Sequence, residues 1–392
     1  MPTNNLLTDD IILKTALMSF ENNLVFVKTA RRDYEDKFSP TTGSSIRIRK
    51  PTRYVARVGR EAQIQAIDSQ YTEITVGDMI GVDVEITSEQ YALQLDDFNR
   101  EVLNPAMVTL ANKADSLLYG TSVDLYNAAG TAGTAPNSFA TANDCNAVLN
   151  SMGIPEDKRF MLLKSRDAGT LQSALYNTFN ENFNKEIIMK GSMGSLASFD
   201  CYQVQNAIRP SRGSASLGTT LVKGAGQSGS TLIVDGFSAS TSLKKGALFT
   251  IAGVNSVNPD SREDTGQLAR FVVTADEDVS SGEMSLSIAP AIVLTGPYQN
   301  VTALPADNAA VTFEATHTKN IFYHQEAFAF CSIKLPENRG AVFQKNAMNP
   351  KSKCSIRMTR DYDGNTDAEL VRFDILPAVK CFPEYGGILM GS

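Results

Sequence analysis

The sequence predicts an α+β fold into which a separate all-β domain is inserted, and three observations predict it. Apolar and polar residues alternate with period two on either side of a polar centre at residues 59 to 70. A single apolar stripe at helical spacing then runs from Thr87 to Gly120. Further on, residues 211 to 305 become rich in Gly, Ser and Thr and carry short strand-like runs separated by turn residues. At 392 residues the chain exceeds the size at which one hydrophobic core stops growing, roughly 250 to 300 residues. Two or three structural units are expected.

Asp9 or Asp10 can cap a first helix, because Ile12, Leu13, Ala16, Leu17 and Phe20 follow at helical spacing. Between Arg31 and Arg60 stand nine Lys or Arg and three Asp or Glu, a basic arm that reads as a face for acidic neighbours. From Ile46 the pattern changes to strict alternation: Ile46 and Ile48, then Tyr54, Ala56 and Val58, set against Arg47, Arg49, Arg53 and Arg57. Ile80, Val82, Val84 and Ile86 are expected to answer them across a two-stranded antiparallel excursion. A lone ribbon of that length is marginal in water, so a neighbouring subunit is the expected support. Thr87 and Gln90 have capping-box spacing, and Tyr91, Leu95, Phe98, Val102, Ala106, Leu110, Ala114 and Leu117 continue one stripe for about 45 Å of helix. Pro105 lacks a backbone donor and predicts a kink within it.

Helices are expected at 143–152 and 167–183, with buried strands at 159–165 and 199–204. In the Gly/Ser/Thr-rich segment, TLIVDGF, ALFTIAGV, RFVVTAD and MSLSIAPAIV read as strands of a small barrel or sandwich with its own core. From Val311 to Met390 strand patterning returns and includes both histidines.

Bulk composition excludes several classes. Hydrophobic content of 42% with 20% charged residues is that of a folding chain. A net charge of −7 argues against a protein that grips nucleic acid, since phosphate binding needs clustered Lys and Arg. Five cysteines without a CxxC pair indicate neither a disulfide framework nor a zinc site, and buried reduced thiols are expected. The N-terminal residues lack the pattern of a signal peptide, and no apolar run approaches the ~20 residues that span a bilayer.

Chemistry is sparse. Gly224, Gly226 and Gly229 match GxGxxG, but a strand follows where a dinucleotide site needs a helix, so a β-turn is expected. Asp361, Asp363, Asn365 and Asp367 begin like a calcium loop, yet Thr366 and Arg372 stand where Gly and Glu are required. A charged hairpin is the better reading. Glu314, His317, His324 and Glu326 lie near one another in sequence, but strand chemistry and missing ligands favour structural histidines. No GxSxG elbow or nucleophile context occurs. No enzyme activity, cofactor or metal is expected.

Three stretches carry a resemblance. VTFEATHTKNIFYHQEAFAFCSIKLP, LQLDDFNREVLNPAMVTLANKADSLL and LKKGALFTIAGVNSVNP are similar to the P22-like coat proteins of tailed bacteriophages, which place an extra β domain inside the Hong Kong 97 capsid fold. The resemblance implies an N-terminal arm at 1–43, an E-loop hairpin at 44–86 and a spine helix of the P domain at 87–120. It further implies a first part of the A domain at 121–210, an inserted β-barrel-like domain at 211–305, and A and P return strands at 306–392. The implied work is self-assembly, in hexamers and pentamers, into an icosahedral shell enclosing double-stranded DNA without reading its sequence. A scaffolding protein and a portal are the implied partners, the host cytoplasm the site of assembly, the virion the destination, and no membrane is involved. Arg47, Arg49, Arg53, Arg57 and Arg60 would make the E-loop contacts. Asp260, Arg262, Glu263 and Asp264 would meet other capsomers, and Pro105 would be the hinge of shell expansion. Some relatives of the fold crosslink through a Lys-Asn isopeptide bond, but Lys50 is the one lysine between Phe38 and Asn112 and lies at the loop's base. An encapsulin-like compartment and a β-rich tail or adhesion protein are the alternatives.

Overall fold

A computed structural model of the chain describes residues 9–34, 37–38, 43–57, 59–62, 64–67, 69–87, 99–176, 194–214, 220–237, 241–279, 282–336, 343–350, 352–364 and 367–392. They fall into two compact units. One comprises Met1–Ile48, Tyr71–Tyr119 and Phe328–Lys380, the other Arg49–Gln70, Gly120–Ala327 and Cys381–Ser392.

In the first unit the helix Asp9–Asn23 forms where the apolar spacing places it, and Ile12, Leu13, Ala16, Leu17 and Phe20 are all buried. The long helix is described from Asn99, where a π turn, Asn99–Leu103, leads into the α-helix Asn104–Gly120. Tyr91, Leu95 and Phe98 lie outside the described residues. The buried stripe runs Leu103, Ala106, Met107, Leu110, Ala111, Ala114 and Leu118, while Val102 and Leu117 are only half-buried. A π turn holds more residues than an α turn, so one unbroken α period misassigns the residues that face the core. Asp115 sits on that buried face and accepts the Val25 and Val27 N–H groups at 2.9 and 3.0 Å, closing the start of the short helix Phe26–Thr29. Burial raises the Asp115 pKa against those hydrogen bonds. Phe26 packs edge-on against Tyr119 and Phe328, with ring centres 5.5 and 4.9 Å apart.

The unit's sheet corrects the expected excursion. Ser45–Arg49 pairs with Tyr71–Thr75, not with the later alternating run. That run, Ile80–Thr87, pairs antiparallel with Ala368–Cys381, setting Gly81 opposite Asp374 and Val84 opposite Val371. Phe328–Ile333, Ser355–Asp363 and Phe343–Met348 complete the sheet. Residues 54 to 57 form no strand. Alternation identifies a strand but does not name its partner.

The second unit holds a six-stranded mixed sheet in the order Asn127–Ala129, Gly386–Met390, Lys319–His324, Arg159–Lys164, Phe199–Val204 and Ser195–Leu196. Every residue of Lys319–His324 and of Gly386–Met390 is buried, so the polar Lys319, Asn320 and His324 of the first strand lie inside together with its apolar residues. The helices Phe139–Ser151 and Ser165–Tyr176 bring Ala142, Cys145, Leu149, Leu171 and Leu175 into one core with Met161, Phe199 and Leu389. The first of these helices starts earlier than its apolar pattern indicates, because Ser138 is an N-cap whose Oγ accepts the Thr141 N–H at 3.3 Å. Ser138→Ala should cost about 1 kcal/mol in urea denaturation, and an unchanged midpoint would contradict the cap.

A further six-stranded sheet of this unit closes into a barrel. Its strands run in the order Val311–Phe313, Leu248–Val257, Asp264–Val273, Met284–Ile292, Gly229–Asp235 and Leu221–Val222. The ends join where Val311 N–H donates to Thr220 O and Val222 N–H to Ala309 O, both at 2.9 Å. Phe249 stacks on Phe271 at 5.6 Å and meets Phe313 at 5.3 Å inside a core that includes Leu232, Val234, Leu286 and Val301. The barrel therefore does not end at residue 305. Val311 and Phe313 fill its core and close its seam, so the barrel runs on to a stem at 314–316, where the Arg212 guanidinium donates to the Glu314 carbonyl at 3.4 Å.

Candidate assembly surfaces

Between the paired strands Ser45–Arg49 and Tyr71–Thr75 runs the loop 50–70, whose described residues form no strand. Arg47 stands on the hairpin, its Nε 3.1 Å from Glu73 and its guanidinium 4.8 Å from the Tyr71 ring centre. The hydrogen bond it donates to Glu73 raises its pKa. Lys50 closes the loop: its N–H donates to Gln70 O at 2.8 Å and its Nζ lies 2.6 Å from Glu384. Within the loop the Gln65 amide serves both peptide groups of Val55, accepting its N–H at 2.8 Å and donating to its carbonyl at 2.6 Å. Arg57 donates to the carbonyls of Gly59 and Glu61. Arg49 and Arg60 are exposed, and Arg53 is half-buried, near enough to Tyr126 and Arg262 to act on both electrostatically. The five arginines are therefore not equivalent, since Arg47 and Arg57 already have partners in their own chain.

The loop also carries exposed apolar side chains. Ile64 is 98% exposed and Ile67 74%, with Tyr54 and Tyr71 more than half exposed. The segment that reads as a polar centre thus presents two isoleucines to solvent. Isolated exposed apolar residues are ordinary, but an array of large ones on a single loop marks an interaction surface.

The expected inter-capsomer residues occupy the turn between the barrel strands Leu248–Val257 and Asp264–Val273. Asn258 organises it, its Oδ1 accepting the Asp260 and Ser261 N–H groups at 2.8 and 3.1 Å. Arg262 has φ of 62°, and its guanidinium folds back to the carbonyls of Pro297 and Gln299. Burial lowers its pKa, with Arg53 adding to the effect. Arg262 is thus a brace of the turn, and Asp260, Glu263 and Asp264 are the exposed charges. Asp264 accepts from Asn255 Nδ2 and Gly266 N–H, and those bonds lower its pKa.

Pro105 lies in the first turn of Asn104–Gly120, directly after the π turn. Its missing N–H costs nothing there, so it opens the α segment and does not break one. Gly224, Gly226 and Gly229 all have positive φ, between 78 and 90°, and lie in the connection from Leu221–Val222 to Gly229–Asp235, a β-turn region as expected. The acidic run at 361–367 joins two antiparallel strands, with Tyr362 Oη donating to Asp367 at 2.7 Å. His317 and His324 are buried, and a ring nitrogen of each contacts nearby backbone. Burial pushes the Cys145 and Cys354 thiols up, and the Cys201 thiol up to about 12. Among the described residues no group of three or more His, Cys, Asp or Glu could hold a metal ion, and no helix is long and apolar enough to cross a membrane.

Comparison with known proteins adds an independent line. The chain is 22% identical to the major capsid protein of Acyrthosiphon pisum secondary endosymbiont phage 1, over 97% of each chain. It is similar to a solved chain of Mycobacterium phage Che8, with 12% identity, a TM-score of 0.49, and coverage of 93% of this chain and 90% of that one. A CUS-3 coat protein I-domain is 32% identical, covering 25% of this chain and 96% of its own, with a TM-score of 0.20. The family model described as "P22 coat protein - gene protein 5" matches residues 1–391. That match takes in the hairpin, the helix, the mixed sheet and the barrel together, and the chain belongs to the P22 coat protein family.

Proposed function

We propose that the chain is a major capsid protein, assembling as hexamers and pentamers into an icosahedral shell around packaged double-stranded DNA. The observation that carries this reading is the family match along residues 1–391. Assembly takes place in the host cytoplasm with a scaffolding protein and a portal, and the product is the virion capsid. The net charge of −7 suits a wall that encloses DNA without holding it, because tight phosphate contact would require a basic surface. Its role is structural and not enzymatic.

Each contact between copies is weak, and closure of the lattice sums many of them. The loop 50–70 with its flanking strands provides one such contact, with Arg49, Arg53 and Arg60 at its polar edge and Arg47 and Arg57 holding its shape. The barrel turn provides another through Asp260, Glu263 and Asp264, braced by Arg262. The junction at Pro105, where π turn meets α-helix, is the bending point when the shell expands.

The test is expression of the chain alone and with its scaffolding protein, followed by electron microscopy. Closed particles are expected, and small oligomers under both conditions would refute the reading. Asp260→Lys with Glu263→Lys should leave the barrel folded and give misassembled particles, whereas wild-type shells would remove the turn from the contact set.

A further inference from the structure

Two chain segments join the barrel to the mixed sheet, one leaving through 205–212 and one returning through 314–319. They are tied to each other: Lys319 N–H donates to Ile208 O at 2.9 Å, and Arg212 N–H to Thr316 Oγ1 at 3.4 Å. Lys319 begins the fully buried strand Lys319–His324 and is itself 0% exposed. Its Nζ donates in two directions, to Gly246 O of the barrel at 3.1 Å and to Val123 O of the turn Thr121–Asp124 at 3.3 Å. Gly246 has φ of +90°, and a Cβ there would stand 2.4 Å from Val123 Cγ1. Barrel and turn therefore touch at the point where the amine bridges them.

The ionisable groups acting on this point include Asp124, Lys245 and Cys381. Asp124 faces Lys319 but also lies 2.8 Å from Lys245 Nζ, whose charge opposes that of Lys319. Cys381 also acts on Lys319 electrostatically. His317, two residues earlier, is buried, and its Nε2 meets no hydrogen-bond partner among the described residues. Lys319, Arg270 and Arg209 all act on it as like charges, and Arg270 is paired with Glu314 at 3.1 Å.

We infer that this stem is a protonation-controlled joint, in which an uncharged Lys319 amine clasps the barrel to the sheet and a proton taken up at Nζ loosens the clasp. The amine has hydrogens for both carbonyls without carrying charge into a dry site. The ammonium must be desolvated to stay there. Burial accordingly pushes Lys319 down to about 7 from its ordinary 10.5. Opening the stem returns Nζ to water and so binds a proton anywhere between those limits. The open state holds more protons than the closed one, so the closed state gains stability as pH rises from about 7 and loses it as pH falls towards 7, levelling off below. Burial also lowers His317, which adds a second step on the acid side of the ordinary imidazole range.

Hydrogen exchange read by mass spectrometry on the full chain between pH 9 and pH 7, corrected for intrinsic exchange, tests this. Peptides covering 205–213 and 314–321 should show an opening constant that rises about tenfold per pH unit lowered until it flattens near pH 7, the slope of one linked proton. Lys319→Met should make those peptides flat over the same range, while His317→Gln should keep the wild-type slope. A flat wild-type profile, an equal slope in peptides from Ser355–Asp363, or an unchanged slope in Lys319→Met would each overturn the joint. Should the methionine chain fail to fold, the wild-type profile decides alone.

Discussion

Asp374→Ala is expected to destabilise the chain by about 3–5 kcal/mol, the cost of removing one partner from a buried ion pair. The Asp374 side chain is 0% exposed and receives two guanidinium groups, Arg357 Nη2 at 2.8 Å and Arg372 Nε at 2.7 Å. Arg357 lies directly across the ladder from Asp374, and only 10% of its side chain reaches solvent. Without the carboxylate it would be a buried cation with no counter-charge. Arg372 is less affected, since it is 36% exposed and also lies 3.6 Å from Asp83. On the other side of Asp374 stands Gly81, where a Cβ would come within 2.6 Å of Oδ1 and 2.9 Å of the Phe373 carbonyl. Gly81→Ala should therefore disturb the same network from the neighbouring strand. Chemical denaturation of the full chain gives the values, and a loss under about 1 kcal/mol for Asp374→Ala would contradict the account. The double change Asp374→Leu with Arg357→Met should recover most of the loss, because apolar replacement of both partners leaves no orphan charge.

That network shows where sequence reading stops. The period-two run at Ile80 was visible as a strand, and so were most strands of the barrel and the helix at Asp9–Asn23. Local patterning reports which face of an element is buried. It does not report that Ile80–Thr87 finds its partner in Ala368–Cys381, nor that Gly81 is small because a distant carboxylate approaches it. The barrel's end is illegible in sequence for the same reason: Val-Thr-Phe at 311–313 looks like any short strand, and only pairing with Leu248–Val257 assigns it to the barrel. At the surfaces the limit is chemical. Arginines in loops read as contacts with a partner, yet Arg262 sits in a left-handed turn that aims its guanidinium at two carbonyls of its own domain. Ile64 and Ile67 lie inside a polar stretch that carries no period-two alternation, and nothing local marks them as facing solvent.

Ile64→Ser combined with Ile67→Ser should abolish shell formation while leaving the stability of the isolated chain unchanged. At 98% and 74% exposure these side chains gain almost nothing from their own fold, so their loss removes no packing within the monomer. If the loop lies on a neighbouring copy in the proposed shell, burying both supplies about 3–6 kcal/mol per contact, at about 1.5–3 kcal/mol for each. Every 1.4 kcal/mol is about tenfold in an association constant, and a closed lattice repeats that deficit at each copy. Charge reversal at Arg49 and Arg60 should act more mildly, slowing assembly and raising its salt sensitivity, because exposed rim charges govern encounter more than holding strength. Thermal melts of the isolated chain, with particle yield by sedimentation and electron microscopy, separate the two effects. Ile64→Leu with Ile67→Leu keeps the apolar area and should assemble. Wild-type particle yield from the double serine chain would show that this loop's apolar surface remains in water in the finished shell, and the contact energy would then have to come from its arginines.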